Sequence, residues 1–169
     1  YSSYLYHYSA YRQLLSSANV GYYCNDLAIG SDGSVFYIAE NEIIRLTSTL
    51  AMPETLLVEQ QIIDDYPVIG SDFYIRSLAV DNDGNFAISI DVEPDDEGRD
   101  AILFYDNDFT SLQNVITDHW EFNNPCNVEF DADKNLYVLN RWHDILLVYD
   151  SLGQRYQASF WYDNEGTEN

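Results

Sequence analysis

Residues 26–38 read DLAIGSDGSVFYI, residues 77–89 read SLAVDNDGNFAIS and residues 127–139 read NVEFDADKNLYVL. The three stretches align without gaps, and their first apolar anchors, Leu27, Leu78 and Val128, lie 51 and 50 residues apart. Self-similarity at a fixed period of this length marks a repeat architecture, in which one supersecondary unit stacks on the next. Each unit has the physics of a hairpin. A short run that alternates or is wholly apolar (Leu27 to Ile29, Leu78 to Val80, Val128 to Phe130) reads as an innermost strand buried on both sides. Asp, Asn and Gly then supply the local hydrogen bonds and positive φ that reverse a chain, at Ser31 to Ser34, Asp81 to Asn85 and Asp131 to Asn135.

Working outward, a second strand is predicted at Val35 to Ala39, Phe86 to Ile90 and Leu136 to Asn140, and a third at Ile43 to Leu46, Ile102 to Tyr105 and Ile145 to Tyr149. A more polar fourth falls at Thr55 to Gln60, Leu112 to Thr117 and Tyr156 to Trp161. Four antiparallel strands per repeat make one blade of an all-β β-propeller. Ahead of the first full unit, Tyr4 to Tyr8 alternates like a third strand and Tyr11 to Leu15 resembles a fourth. The chain is therefore expected to hold about three and a half blades in one domain over 1–169: the end of a preceding blade at 1–20, blades at 21–62, 63–120 and 121–162, and a tail at 163–169. Three and a half blades do not seal a ring, so either further polypeptide or a second chain is expected to complete it. Helix is expected to be scarce, because no long 3.6-residue pattern occurs.

Composition narrows the partners. Seven basic against 29 acidic residues give a net charge of −22 on 169 residues. A surface this negative repels phosphates and anionic lipids, which excludes nucleic-acid binding and membrane insertion as expectations. The hydrophobic fraction of 46% is too high for a disordered acidic tail. Lys134 is the one lysine, so carboxylates carry solubility, a balance that favours an extracellular or cell-surface setting. Cys24 and Cys126 are too few for a stapled scaffold or a thiolate metal cage, and either a bridge or two thiols is open.

At the residues already quoted, with Asn25 to Gly33 followed by Val35 to Ala39, and at Val128 to Leu139, the chain resembles the NHL-type and gluconolactonase-like (senescence-marker-protein-like) β-propellers. The resemblance implies a divalent cation in the central channel, held by oxygen ligands two positions before the anchor of particular blades. Here those positions are Asn25, Arg76 and Cys126. Asn25 suits an ion; the guanidinium of Arg76 does not, since it adds charge and supplies no acceptor. One position later Asp26, Ser77 and Asn127 all bear oxygen, so a one-residue change of register would turn them toward the channel.

Loops joining second to third strands, and blade to blade, emerge on one face of a propeller. That face collects the acidic loop 91–100, Asp64 to Pro67, Asp118 to Glu121 and Arg141 to Asp144. Its aromatic and charged residues Trp120, Trp142, Arg141, His143 and Tyr66 are the binding candidates, because amphipathic rings and arginine dominate recognition surfaces. Asp91, Glu93, Asp95 and Asp96 are the candidate ligands for Ca²⁺, which takes six to eight oxygens; Asn25 and Asn127 are the alternative metal pair. His119 and His143 adjoin Asp118 and Asp144, but adjacency in sequence is not catalytic geometry, and no catalytic residue is assigned. The expected function is an extracellular binding or scaffold module recognising a protein, or a glycan, through this upper face. Its alternatives are a metal-dependent lactonase-like or esterase-like hydrolase and a self-associating structural subunit of a multichain assembly.

Overall fold

The computed structural model describes residues 2–21, 23–93, 99–117, 124–141, 145–151 and 153–155, with the backbone of 160–161. A two-stranded antiparallel sheet, β1 (Ser3–Tyr8) and β2 (Leu14–Gly21), is followed by three four-stranded ones. These are β3 (Cys24–Ile29), β4 (Val35–Ala39), β5 (Glu42–Leu46) and β6 (Glu54–Leu57); then β7 (Phe73–Val80), β8 (Phe86–Val92), β9 (Ala101–Tyr105) and β10 (Leu112–Ile116); then β11 (Pro125–Phe130), β12 (Leu136–Asn140), β13 (Ile145–Tyr149) and β14 (Phe160–Trp161). Within each sheet every strand pairs antiparallel with the next in sequence. The architecture is a partial β-propeller: three four-stranded blades preceded by a two-stranded sheet.

Blades stack because the pleat sends alternate residues to opposite faces. From β7, Leu78 enters the core shared with the first blade while Ala79 enters the core shared with the third. The first core packs Phe36 edge-on against Phe86, with ring centroids 4.8 Å apart. A third, smaller core joins Val20 of β2 to Tyr37, Leu46 and Leu50 of the first blade.

The inner hairpins close alike. The residue after each Asp-rich reversal donates back across the turn: Gly33 to the Gly30 carbonyl, Gly84 to Asp81, Lys134 to Asp131, at 2.9 to 3.1 Å. In the second and third blades Asp81 and Asp131 also accept from the backbone N–H groups two and four residues on. Gly30 holds that place in the first blade and has no carboxylate, so Asp32 accepts from Ser34 instead.

Three expectations are corrected. The fourth strand of the first blade ends at Leu57, and Glu59–Asp65 forms a short helix, α1, followed by one 3-10 turn at Pro67–Ile69. Ile62 and Ile69 are fully buried in the first core; two turns of helix leave too little periodicity to be read from sequence. Tyr11 to Gln13 lie outside any strand, with Arg12 at φ 63°, and β2 begins at Leu14. The first inner strand is not covered on both sides: Leu27 and Ile29 are 44% and 65% exposed, because the sheet facing them has two strands instead of four. No helix among the described residues is long and apolar enough to cross a membrane.

Candidate functional site

All three inner strands break register at the same repeat position, between Cys24 and Leu27, Ile75 and Ser77, and Pro125 and Asn127. Such bulges bend a strand and re-aim its side chains beside sites. The bulge recurs in every blade, and it divides the labour between neighbouring residues.

The second residue of each bulge staples one blade to the next. The Asp26 carboxylate accepts from the Ser77 hydroxyl and from the Leu78 N–H, the latter at 3.1 Å. The Ser77 oxygen in turn accepts from the Val128 N–H at 3.1 Å and from the Asn127 amide at 3.4 Å. Asp26, Ser77 and Asn127 therefore form a lateral chain across three inner strands. Asn25 donates to the Ile75 carbonyl at 3.2 Å, so Asn25 and Asn127, the alternative metal pair, flank β7 from opposite sides.

The first residue of the middle bulge is Arg76. Its Nε donates to Asp91 Oδ2 at 2.7 Å, its Nη2 donates to the same oxygen, and its guanidinium lies 4.8 Å from the Tyr74 ring centroid. Asp91 is fully buried, and its other oxygen, Oδ1, has no hydrogen-bond partner among the described residues. Asn124 extends the network, donating its amide to Asp91 at 3.3 Å and its N–H to Asp100 at 2.7 Å. Asp100 also accepts the Val92 N–H at 2.8 Å, and the Arg141 N–H donates to the Asn124 carbonyl at 3.1 Å. This network clamps the base of the acidic loop to the entry of the third blade.

Between the first two blades the same rim opens a cleft of about 370 Å³ lined by Tyr23, Asn25, Glu40, Asn41, Tyr74 and Arg76, with Glu59 at its edge. Asn41 locks one wall, donating to the Phe73 carbonyl at 2.9 Å and accepting the Ile75 N–H at 3.1 Å. Tyr23 and Tyr74 are 70% and 47% exposed. The cleft thus offers two accessible rings, two carboxylates and one neutralised guanidinium.

The sequence candidates distribute unevenly. Trp120, Trp142, His143, Asp95 and Asp96 lie outside the described residues. Arg141 is exposed on the rim, whereas Tyr66 packs against the first core. Asp91 is committed to Arg76, while Glu93 is exposed and its N–H donates to the Asp72 carbonyl at 2.9 Å. Among the described residues no three His, Cys, Asp or Glu side chains converge as a metal group. Both cysteines are free; burial first, and then the Asp26 charge, push the Cys24 thiol up and keep it protonated. Sequence reasoning passed over Asp91 as the partner of Arg76. The signal was present, since an acid ending the apolar run Phe86 to Ile90 needs a counter-charge, and the facing strand has one arginine.

No family model matches the chain, and no curated protein sequence matches it. Solved structures do. A chain of a nidogen/laminin complex superposes with a TM-score of 0.64 at 16% identity, covering 95% of this chain and 58% of that one. A gluconolactonase from Xanthomonas campestris gives 0.52 at 14%, covering 96% and 55%. A Bacteroides caccae protein of unknown function gives 0.51 at 11%, covering 98% and 63%. These identities establish the β-propeller fold alone, and the chain spans about three fifths of the length of each neighbour.

Proposed function

We propose that the chain is an extracellular or cell-surface β-propeller binding module that recognises a protein partner, through basic side chains of that partner, at its upper rim. The observation that carries this reading is the cleft between the first two blades, where Tyr23 and Tyr74 stand beside Glu40 and Glu59. Aromatic faces and carboxylates together suit a lysine or arginine side chain. The net charge of −22 adds long-range attraction for such a partner, which salt weakens. A structural neighbour comes from a complex of two proteins, nidogen and laminin, which is consistent with a propeller serving as a docking surface.

A lactonase-like hydrolase receives less support, although a gluconolactonase shares the fold. The reason is chemical: at the repeat position of Asn25 the middle blade carries Arg76, whose guanidinium is paired with Asp91 and offers no acceptor to a divalent ion. The NHL-type resemblance, a glycan ligand and Ca²⁺ on the loop 91–100 remain proposals subordinate to the protein-binding one.

The test is to select binders from a random-peptide display library on the immobilised chain and to titrate them. Selected peptides are expected to be rich in Lys or Arg, to weaken as NaCl rises, and to lose about tenfold in affinity with Glu40→Gln, Tyr74→Ala or Trp142→Ala, each a loss of about 1.4 kcal/mol. Peptides without basic residues, or affinities that none of these changes moves, would remove the upper rim from consideration. In parallel, Asn25→Ala is expected to leave any melting-temperature rise caused by Ca²⁺, Mn²⁺ or Zn²⁺ unchanged; loss of that rise would revive the hydrolase reading.

A further inference from the structure

The first two blades meet through three packed phenyl rings: Phe36 lies edge-on to Phe86 at 4.8 Å, and Phe86 lies 4.2 Å from Phe109, centroid to centroid. One blade later the equivalent positions hold smaller residues. Ala87 is the second residue of β8 as Phe36 is of β4, and Leu136 opens β12 as Phe86 opens β8. Gly153 takes the place of Phe109, since each donates its N–H to the carbonyl of the aspartate three residues earlier, and each has positive φ, 75° and 56°. The seam between the second and third blades therefore lacks all three rings. There a cavity of about 710 Å³ opens on the hairpin-turn side of the sheets, away from the upper rim, a volume in the range of small-molecule sites. The half-buried rings of Phe104 and Phe130 line it, with centroids 6.5 Å apart. Gly153 draws the outer turn of the third blade onto Asn114, where a Cβ would fall 2.6 Å from the amide nitrogen.

The charges around this cavity are engaged within the protein. Asp81 accepts the N–H groups of Asp83 and Asn85 and the Asn85 amide, Asp106 accepts from Thr110 and Ser111, and Lys134 pairs with Asp81 and Asp83. What is left for a ligand is neutral. The Asn114 amide nitrogen and the amide oxygens of Gln113 and Asn85 have no partner among the described residues. We propose that the cavity binds a neutral saccharide of one or two rings. The apolar face of a pyranose stacks on Phe104 and Phe130, and its hydroxyls, each both donor and acceptor, meet the amides of Asn85, Gln113 and Asn114. An anionic ligand is repelled by the net charge of −22, and a cation finds both carboxylates already engaged. The site shares no residue with the rim cleft of Tyr23 and Tyr74, so it stands independently of the protein-binding reading.

The probes are glucose, galactose, mannose, N-acetylglucosamine, lactose and cellobiose, titrated into isotopically labelled protein and followed by NMR. At least one is expected to shift the amide signals of Asn85, Asn114 and Phe130, with a Kd on the order of 0.1–1 mM. Gln113 and Asn114 are exposed, so Gln113→Ala and Asn114→Ala are expected to retain the fold by circular dichroism. Each is expected to weaken sugar binding by about three- to tenfold. Tyr74→Ala, in the rim cleft, is expected to leave it unchanged. No shift with any of these sugars, wild-type affinity in both amide variants, or shifts centred on Tyr23 and Tyr74 would overturn the proposal. So would tighter binding of methylammonium or acetate at the same signals, since the cavity would then select charge.

Discussion

Arg76 and Asp91 illustrate how a single pair sets the character of the rim. Asp91 is fully buried, while the Arg76 side chain keeps 34% of its exposure. Removing the arginine leaves a carboxylate uncompensated in the interior, which is more costly than never having buried the pair. Arg76→Ala is expected to destabilise the protein by about 2–3 kcal/mol, discounted because water reaches the guanidinium, or about 4–12 °C in melting temperature for a chain of this size. The double change Arg76→Ala with Asp91→Leu should recover much of that loss by urea denaturation. Additive losses would mean that the two side chains do not act as a unit. At this scale the sequence shows an acid at the end of an apolar run and an arginine at the equivalent of Asn25. It does not show that they meet, because the pairing depends on the bulge between Ile75 and Ser77.

At the scale of elements, the hairpin turns are the most legible part of the molecule and α1 the least. The turns follow from local chemistry, since a carboxylate beside the reversal accepts nearby N–H groups whatever surrounds it. Lys134 is the telling departure. It stands at φ 64°, where its sister turns place Gly33 and Gly84 at 80° and 89°, a region that favours glycine. Its ammonium compensates across the blade boundary, lying 3.4 Å from Asp81 and also contacting Asp83. Lys134→Ala loses both the ion pair and the chance to relax the backbone, whereas Lys134→Gly loses the ion pair alone. The glycine variant is therefore expected to show the higher urea midpoint; the reverse order would mean that this turn carries no strain. By contrast, α1 is held by tertiary partners: Gln61 donates to the Phe109 carbonyl at 2.6 Å, and the Tyr105 hydroxyl donates to Asp65 at 3.0 Å. Those partners lie 40 and 48 residues away, so no local pattern announces the helix.

Across the whole molecule, the dominant fact is the charge of −22. Several carboxylates are nonetheless stabilised where they stand. Burial alone would raise Asp81, but the Asn85 side chain, the N–H groups of Asn85 and Asp83, and Lys134 together hold it below 3.8. The Asn135 side chain, against burial and with N–H groups of Asn135 and Asp133, does the same for Asp131. A folded value below the unfolded one means stability that is complete above pH 3.8 and lost as pH falls through the lowered values. The melting temperature is thus expected to fall below about pH 3.8, with a smaller fall in Asp81→Asn, and to rise with NaCl at pH 7 as self-repulsion is screened. An identical acid profile in the variant, or a drop with salt, would show that other groups govern both responses.

By itself the sequence determined the repeat, its hairpins and the four-strand blade, because those follow from strand periodicity and turn chemistry within each repeat. Only the tertiary structure decided which side chains share a site. Arg76 with Asp91, Asp26 with Ser77, and the uncovered Leu27 each depend on how one sheet lies against the next. The physical reason is that burial and hydrogen-bond partnership are properties of stacked blades, and no single strand contains them.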